Sequence, residues 1–135
     1  MTLVDTNVLV DLVSDNSAWA DWSQASLETA SLLGPLVINE VIYAELSVRY
    51  EDMAALDRYL DEAGIDFISL PKAALFLAGK AFARYRSAGG SKSGVLPDFF
   101  IGAHAAVAGI PLLTRDISRY RTYFPDIILV APPRL

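Results

Sequence analysis

The stretch Thr2-Leu3-Val4-Asp5-Thr6-Asn7-Val8-Leu9 decides how the rest of the chain is read. Thr2 to Val4 is a short run of strand type. Asp5, Thr6 and Asn7 are all residues that cap helix N-termini, and Val8, Leu9 and Leu12 follow at helical spacing. A strand that hands over at once to a helix opens a βα unit, and the same handover recurs. Leu36-Val37-Ile38 leads into Asn39 and a helix expected to reach about Arg49. Residues 65–70 form a third strand closed by Pro71, 110–114 a fourth and 127–130 a fifth. Between them lie helices: one from Trp19 to Leu33 stopped by Gly34-Pro35, one over 52–63 ending at Gly64, and one over 72–87 with apolar positions 75, 78, 82 and 85. Pro97 suits the first turn of a further helix ending at Gly109, and 117–123 forms a short last one. Short apolar strands alternating with helices imply an α/β fold with a parallel sheet covered on both faces.

Acidic residues interrupt this pattern at four of the junctions. Asp5 ends the first strand, Glu45 lies inside Val41-Ile42-Tyr43-Ala44-Glu45-Leu46, Asp98 follows Pro97, and Asp116 follows Leu112-Leu113-Thr114-Arg115. Ligands of parallel sheets bind beyond the carboxyl ends of the strands, where Asp5 and Asp116 stand and where Glu45 and Asp98 converge if their helices face the rim. Burying unpaired carboxylates is costly, so a chain that gathers several beside its core normally supplies a cation or lets them protonate. Taken singly, Asp5 and Asp116 also read as helix caps and Asp98 as a first-turn acid favoured by the helix dipole. Glu45 shares a helical face with Val41, Ile42 and Val48 and is expected to point inward.

Composition narrows the chemistry. The chain has 135 residues, no cysteine and one histidine, which suits a single domain and excludes disulfides and thiolate metal sites. A metal would have to be held by oxygen. Neither a leader-like start nor a membrane-length apolar run is visible, so the expectation is a cytoplasmic protein away from membranes. The net charge of −5 hides a division: residues 1–71 carry 13 acidic and 2 basic side chains, whereas residues 72–121 carry 8 basic and 2 acidic ones. A phosphate-binding surface is therefore compatible with an acidic protein. Lys92, in the glycine- and serine-rich segment before Asp98, and Arg115 and Arg119, around Asp116, are its candidate contacts.

Leu3-Val4-Asp5-Thr6-Asn7-Val8-Leu9-Val10-Asp11-Leu12, the helix around Glu45, Leu96-Pro97-Asp98-Phe99-Phe100-Ile101-Gly102-Ala103-His104-Ala105, and Leu112-Leu113-Thr114-Arg115-Asp116 together resemble a PIN domain. More narrowly they resemble a VapC toxin of a type II toxin–antitoxin pair, over essentially the full chain. The resemblance implies a three-layer α/β/α fold whose five parallel strands are ordered 3-2-1-4-5. It also implies an endoribonuclease using Mg2+ or Mn2+, with Asp5, Glu45, Asp98 and Asp116 as catalytic metal-site acids and Asn7 and Thr114 as accessory polar residues. Several carboxylates around such ions suit phosphodiester hydrolysis, since the ion polarises the phosphate and activates water.

Trp19 and Trp22 read as core or as a protein-binding groove, and the resemblance favours a groove for an antitoxin segment. The apolar content of 53% suggests a surface covered by partners, hence a homodimer with a small antitoxin. His104 lies six residues beyond Asp98 on one helix and so faces elsewhere, as a packing or surface residue. Two alternatives share parts of this reading. A PIN ribonuclease of RNA processing would use the same acids, whereas a receiver-type signalling domain needs an aspartate after strand three, where Phe67-Ile68-Ser69-Leu70-Pro71-Lys72 has none.

Overall fold

The computed structural model describes residues 1–14, 18–91 and 94–133. Its elements run β1 (Thr2–Val4), α1 (Thr6–Val13), α2 (Ala20–Leu33), β2 (Leu36–Ile38), α3 (Glu40–Ser47), α4 (Met53–Glu62), β3 (Ile65–Phe67), α5 (Lys72–Ser87), α6 (Leu96–Ala108), β4 (Leu112–Leu113), α7 (Ser118–Tyr123) and β5 (Leu129–Val130). The sheet has five strands in the order β3-β2-β1-β4-β5, every pair parallel, and helices flank it. Leu3 is in register with Val37 on one side and Leu112 on the other. The chain steps outward from β1 to β3, then returns past β1 to β4, so the order reverses between β1 and β4. That reversal opens a crevice at the carboxyl ends of those two strands.

Strands this short can sit fully in the core because their flanks are capped quickly. Leu3, Val4, Val37, Ile38, Leu112 and Leu113 are all buried, and each central strand is followed within a residue or two by a polar group that begins a helix or turn. Asp5 caps α1 and Asn39 caps α3. The third and fourth strands are shorter than their apolar runs suggest, yet pairing persists past their ends: Ile68 N–H donates to the Ile38 carbonyl at 2.8 Å and Thr114 N–H to the Val130 carbonyl at 3.0 Å.

Two helices pack differently from the sequence expectation. α5 buries Ala74, Ala78 and Ala81, while Leu75 is exposed and Phe76 is 69% exposed. The small side chains let α5 lie close against α6, and Phe82 meets Phe99 edge-on and Tyr85 meets it tilted, each at 5.5 Å between ring centroids. In α3 the buried residues are Ile42 and Leu46, and Val48, at the C-cap, is 86% exposed. Among the described residues no helix is long and apolar enough to cross a membrane.

α6 carries two buried features that fix its neighbours. At Gly102 a Cβ would fall 2.5 Å from the Phe124 ring, so the missing side chain is what admits Phe124 and the adjoining α7. Two residues on, His104 is buried on the side facing β2 and α3, where Asn39 Nδ2 lies 3.0 Å from its Nδ1. Asn39 Oδ1 already accepts from Ile42 N–H at 3.0 Å, so Nδ2 must donate and His104 Nδ1 must accept. The imidazole is therefore neutral with its proton on Nε2, consistent with a pKa lowered by burial. Asn39→Ala should remove the α3 cap and strand His104 Nδ1 without a donor, costing about 2–3 kcal/mol. Urea unfolding should show the midpoint falling while the slope m stays constant.

Candidate active site

Asp5 stands at the end of β1, at the strand-order reversal, only 4% exposed. Its Oδ1 accepts from Thr6 N–H at 2.7 Å as the cap of α1. Its Oδ2 accepts from Thr114 Oγ1 and from the Tyr120 hydroxyl, both at 2.8 Å, with Asn7 Nδ2 at 3.4 Å. Burial pushes the Asp5 carboxyl up to about 6, its hydrogen bonds with Tyr120 and Thr114 oppose the rise, and the charge of Asp98 adds to it. The Tyr120 hydroxyl is in turn pushed well above its ordinary value, by burial first and then by the charges of Asp5, Asp98 and Asp116. It therefore stays protonated and donating.

Asn7 and Thr114 both lie against Asp5 and contact each other. Thr114 Oγ1 donates to Asp5 and accepts from Asn7 Nδ2 at 3.2 Å and from Asp116 N–H at 3.1 Å. Asn7 Oδ1 accepts from Arg115 N–H at 3.1 Å, which pins the loop after β4 against the start of α1. Glu45 is half-buried on α3, with Oε1 accepting from Thr6 Oγ1 at 2.7 Å. Its pKa is raised by burial and by Asp98, against the Thr6 bond. Asp98, in the first turn of α6, is ion-paired with Arg119. Asp116 lies at the exposed edge with Ser118 Oγ at 3.3 Å from its Oδ1.

The fold thus brings Asp98 within electrostatic reach of both Asp5 and Glu45, and Asp116 within reach of Tyr120 at the margin. Every donor in this set is a hard oxygen, which suits Mg2+ or Mn2+. A carboxyl whose pKa is raised chiefly by burial is also one that a divalent cation would keep ionised. Among the described residues no three acidic, histidine or cysteine side chains are grouped closely enough to hold an ion as they lie, and Thr6 and Arg119 engage Glu45 and Asp98. The donor chemistry fits a divalent ion, and seating one requires these side chains to change partners.

The other candidates fall in different places. Arg115 forms a two-point pair with Asp11, Nε–Oδ2 2.5 Å and Nη2–Oδ1 3.0 Å, and its guanidinium carbon lies 5.6 Å from the Trp19 ring centroid. Asp11 is 3% exposed and also accepts from Ser23 Oγ at 2.8 Å, so this cluster joins α1, α2 and the loop after β4. Trp19 is 41% exposed and meets the half-buried Trp22 edge-on at 6.4 Å. Trp19 is thus a surface residue rather than core. Lys92 lies outside the described residues. His104 is core, not surface.

Sequence reasoning passed over Tyr120 and Asp11. Asp11 carried a signal, being an acid inside the apolar run Val8 to Leu12 and one turn beyond Asn7. Tyr120 carried none beyond an i, i+4 pairing with Phe124 that reads as packing.

Asp5 makes the metal-free fold depend on pH. Its folded pKa of about 6 lies above the ordinary 3.8, so the folded state binds the extra proton and stability declines as pH rises from about 4 to about 6. The loss above that window is about 3 kcal/mol. His104, whose pKa is lowered, acts with the opposite sign, losing its contribution as pH falls. The difference between wild type and Asp5→Asn isolates the aspartate. In EDTA, the variant should match wild type near pH 4 and exceed it in urea midpoint at pH 7.5.

Comparison with known proteins agrees with this architecture. The PIN domain family matches residues 2–125. No curated protein of similar sequence matches. Among solved structures, VapBC2 from Rickettsia felis, bound to a DNA fragment from their promoter, is similar at 19% identity over 98% of each chain, with a TM-score of 0.74. VapBC-1 from nontypeable Haemophilus influenzae is similar at 17% identity over 96% of each chain, TM-score 0.71. A toxin–antitoxin complex from Klebsiella pneumoniae is similar at 23% identity over 100% of each chain, TM-score 0.66. Identities of this size speak to the fold, and the family match over most of the chain settles membership: the chain belongs to the PIN domain family.

Proposed function

We propose that the protein is an Mg2+- or Mn2+-dependent endoribonuclease and acts in the cytoplasm as the toxin of a VapBC-type pair, as a homodimer held in check by a small antitoxin. The observation that carries the nuclease reading is the buried Asp5 at the strand-order reversal, with the carboxylate of Asp98 close enough to raise the pKa of both Asp5 and Glu45. Support for the toxin reading comes from solved relatives of the same fold described as VapBC and toxin–antitoxin complexes.

In this reading Asp5, Glu45, Asp98 and Asp116 hold the metal. When bound, the cation supplies Lewis acidity toward the scissile phosphate and activates water for attack. The chain's own residues prepare the place. Thr6 N–H, Thr114 and Tyr120 hold the Asp5 carboxylate in one orientation. The Thr6 hydroxyl holds Glu45, and Asn7 keeps Thr114 and the Arg115 backbone in line with them. Lys92, Arg115 and Arg119 belong to the basic part of the chain and offset the repulsion that an acidic rim exerts on a polyanion. Trp19 and Trp22 offer the antitoxin an aromatic contact.

Purified protein should cut single-stranded RNA with Mn2+ or Mg2+ and stop in EDTA, and Asp98→Asn should lower the rate by orders of magnitude. Chelator-resistant cleavage belonging to this chain would falsify the metal reading. Induced alone in cells, wild type should arrest growth and Asp98→Asn at equal abundance should not. Equal harmlessness would remove the toxin role and leave a ribonuclease of RNA processing.

A further inference from the structure

Consecutive residues of α7 serve different acids. Tyr120 donates to Asp5, and Arg119 is ion-paired through Nη1 with Asp98 Oδ2. The Arg119 side chain is 17% exposed and that of Asp98 30% exposed. On its other side the guanidinium carbon lies 5.8 Å from the Tyr85 ring centroid, and Tyr85 is itself packed against Phe99 and Tyr123. Arg119 is therefore held between an aromatic ring and a carboxylate of the site.

A guanidinium keeps its charge at any physiological pH, so this contact cannot be released by deprotonation. It can be released only by exchange of partner. A divalent ion that takes the Asp98 oxygens meets a cation already there, and two cations compete for one carboxylate. The comparison with Arg115 and Asp11 is instructive. That pair is two-pronged, with an aspartate 4% exposed in its side chain and further bonded to Ser23, as a permanent brace would be. In the pair of Arg119 and Asp98 the carboxylate is the more open partner, and the Tyr85 ring gives the guanidinium a second foothold that does not depend on it.

Resting on the nuclease reading above, we propose that Arg119 is the resident counter-ion of Asp98, which the metal must displace, and that the displaced guanidinium, kept at the rim by Tyr85, then positions a phosphate of the RNA. Arg119 thereby couples metal loading to substrate binding: it weakens the first and strengthens the second. It is a positioning residue in the metal step and a substrate contact afterwards.

The test is to titrate Mn2+ calorimetrically into wild type, Arg119→Gln and Arg119→Lys, with circular dichroism as the folding control. Arg119→Gln should bind Mn2+ about fivefold more tightly, and Arg119→Lys, a point charge without the planar fork, by less. In cleavage assays the same Gln variant should reach half-activation at lower Mn2+ yet show a KM for RNA raised about tenfold, with the salt dependence of binding reduced by roughly one contact, a slope of about 0.7. Opposite movement of metal affinity and KM is the signature, since a merely structural arginine would weaken both. Equal or weaker Mn2+ binding by a folded Gln variant overturns the competition, and an unchanged KM overturns the phosphate contact. Should the Gln variant fail to fold, equal Mn2+ affinity of Arg119→Lys and wild type does the same. Wild type that binds no Mn2+ at all brings down the nuclease reading together with this one.

Discussion

The Asp5 carboxylate, buried where the strand order reverses, is the constraint around which the rest of the structure is arranged. A charge at that depth is unfavourable unless the protein surrounds it with donors, and four residues do so. These four donors come from three stretches: Thr6 N–H and Asn7 from the start of α1, Thr114 from the end of β4, and Tyr120 from α7. Meeting the needs of one side chain thus fixes how β1, β4, α1 and α7 sit relative to one another. The compensation is incomplete, since burial and Asp98 still outweigh the donors. What is left over is a negative potential that a proton or a cation relieves.

Two arginines in the basic part of the chain are consumed differently by this charge distribution. Arg115 is spent on Asp11 and locks the helices behind the site. Arg119 stands on Asp98, inside it. Residues with equal claims on a phosphate from the sequence are therefore unequal in the fold, and the difference lies in what they already hold.

Much of the architecture was legible because the chain marks its own punctuation. Apolar runs of three residues end in Asp5 and Asn39, and both are caps in the structure. The acids were legible because they interrupt apolar runs, which is a local signal. Contacts between distant residues were not. Nothing near Arg115 names Asp11 as its partner, and nothing near Tyr120 names Asp5, since both pairings are made by the sheet's crossovers. On the inward face of α5 the expected positions 78, 82 and 85 hold, but Leu75 gives way to Ala74 and Ala81, because close helix packing selects small side chains. Val48 was misread for a simpler reason: α3 ends at Ser47, so the helical face projected from Val41 stops short of it.

Gly102 gives the site a gauge. The standoff between α6 and α7 is set by a side chain that is not there, with Phe124 lying where a methyl group would be. α6 supplies Asp98, and α7 supplies the two groups that reach for Asp98 and Asp5. The reach of those groups is therefore metered by the width of a single carbon, on a buried face of α6. A lineage could retune the grip on the site's acids by changing bulk at this one position, leaving every charged residue as it is.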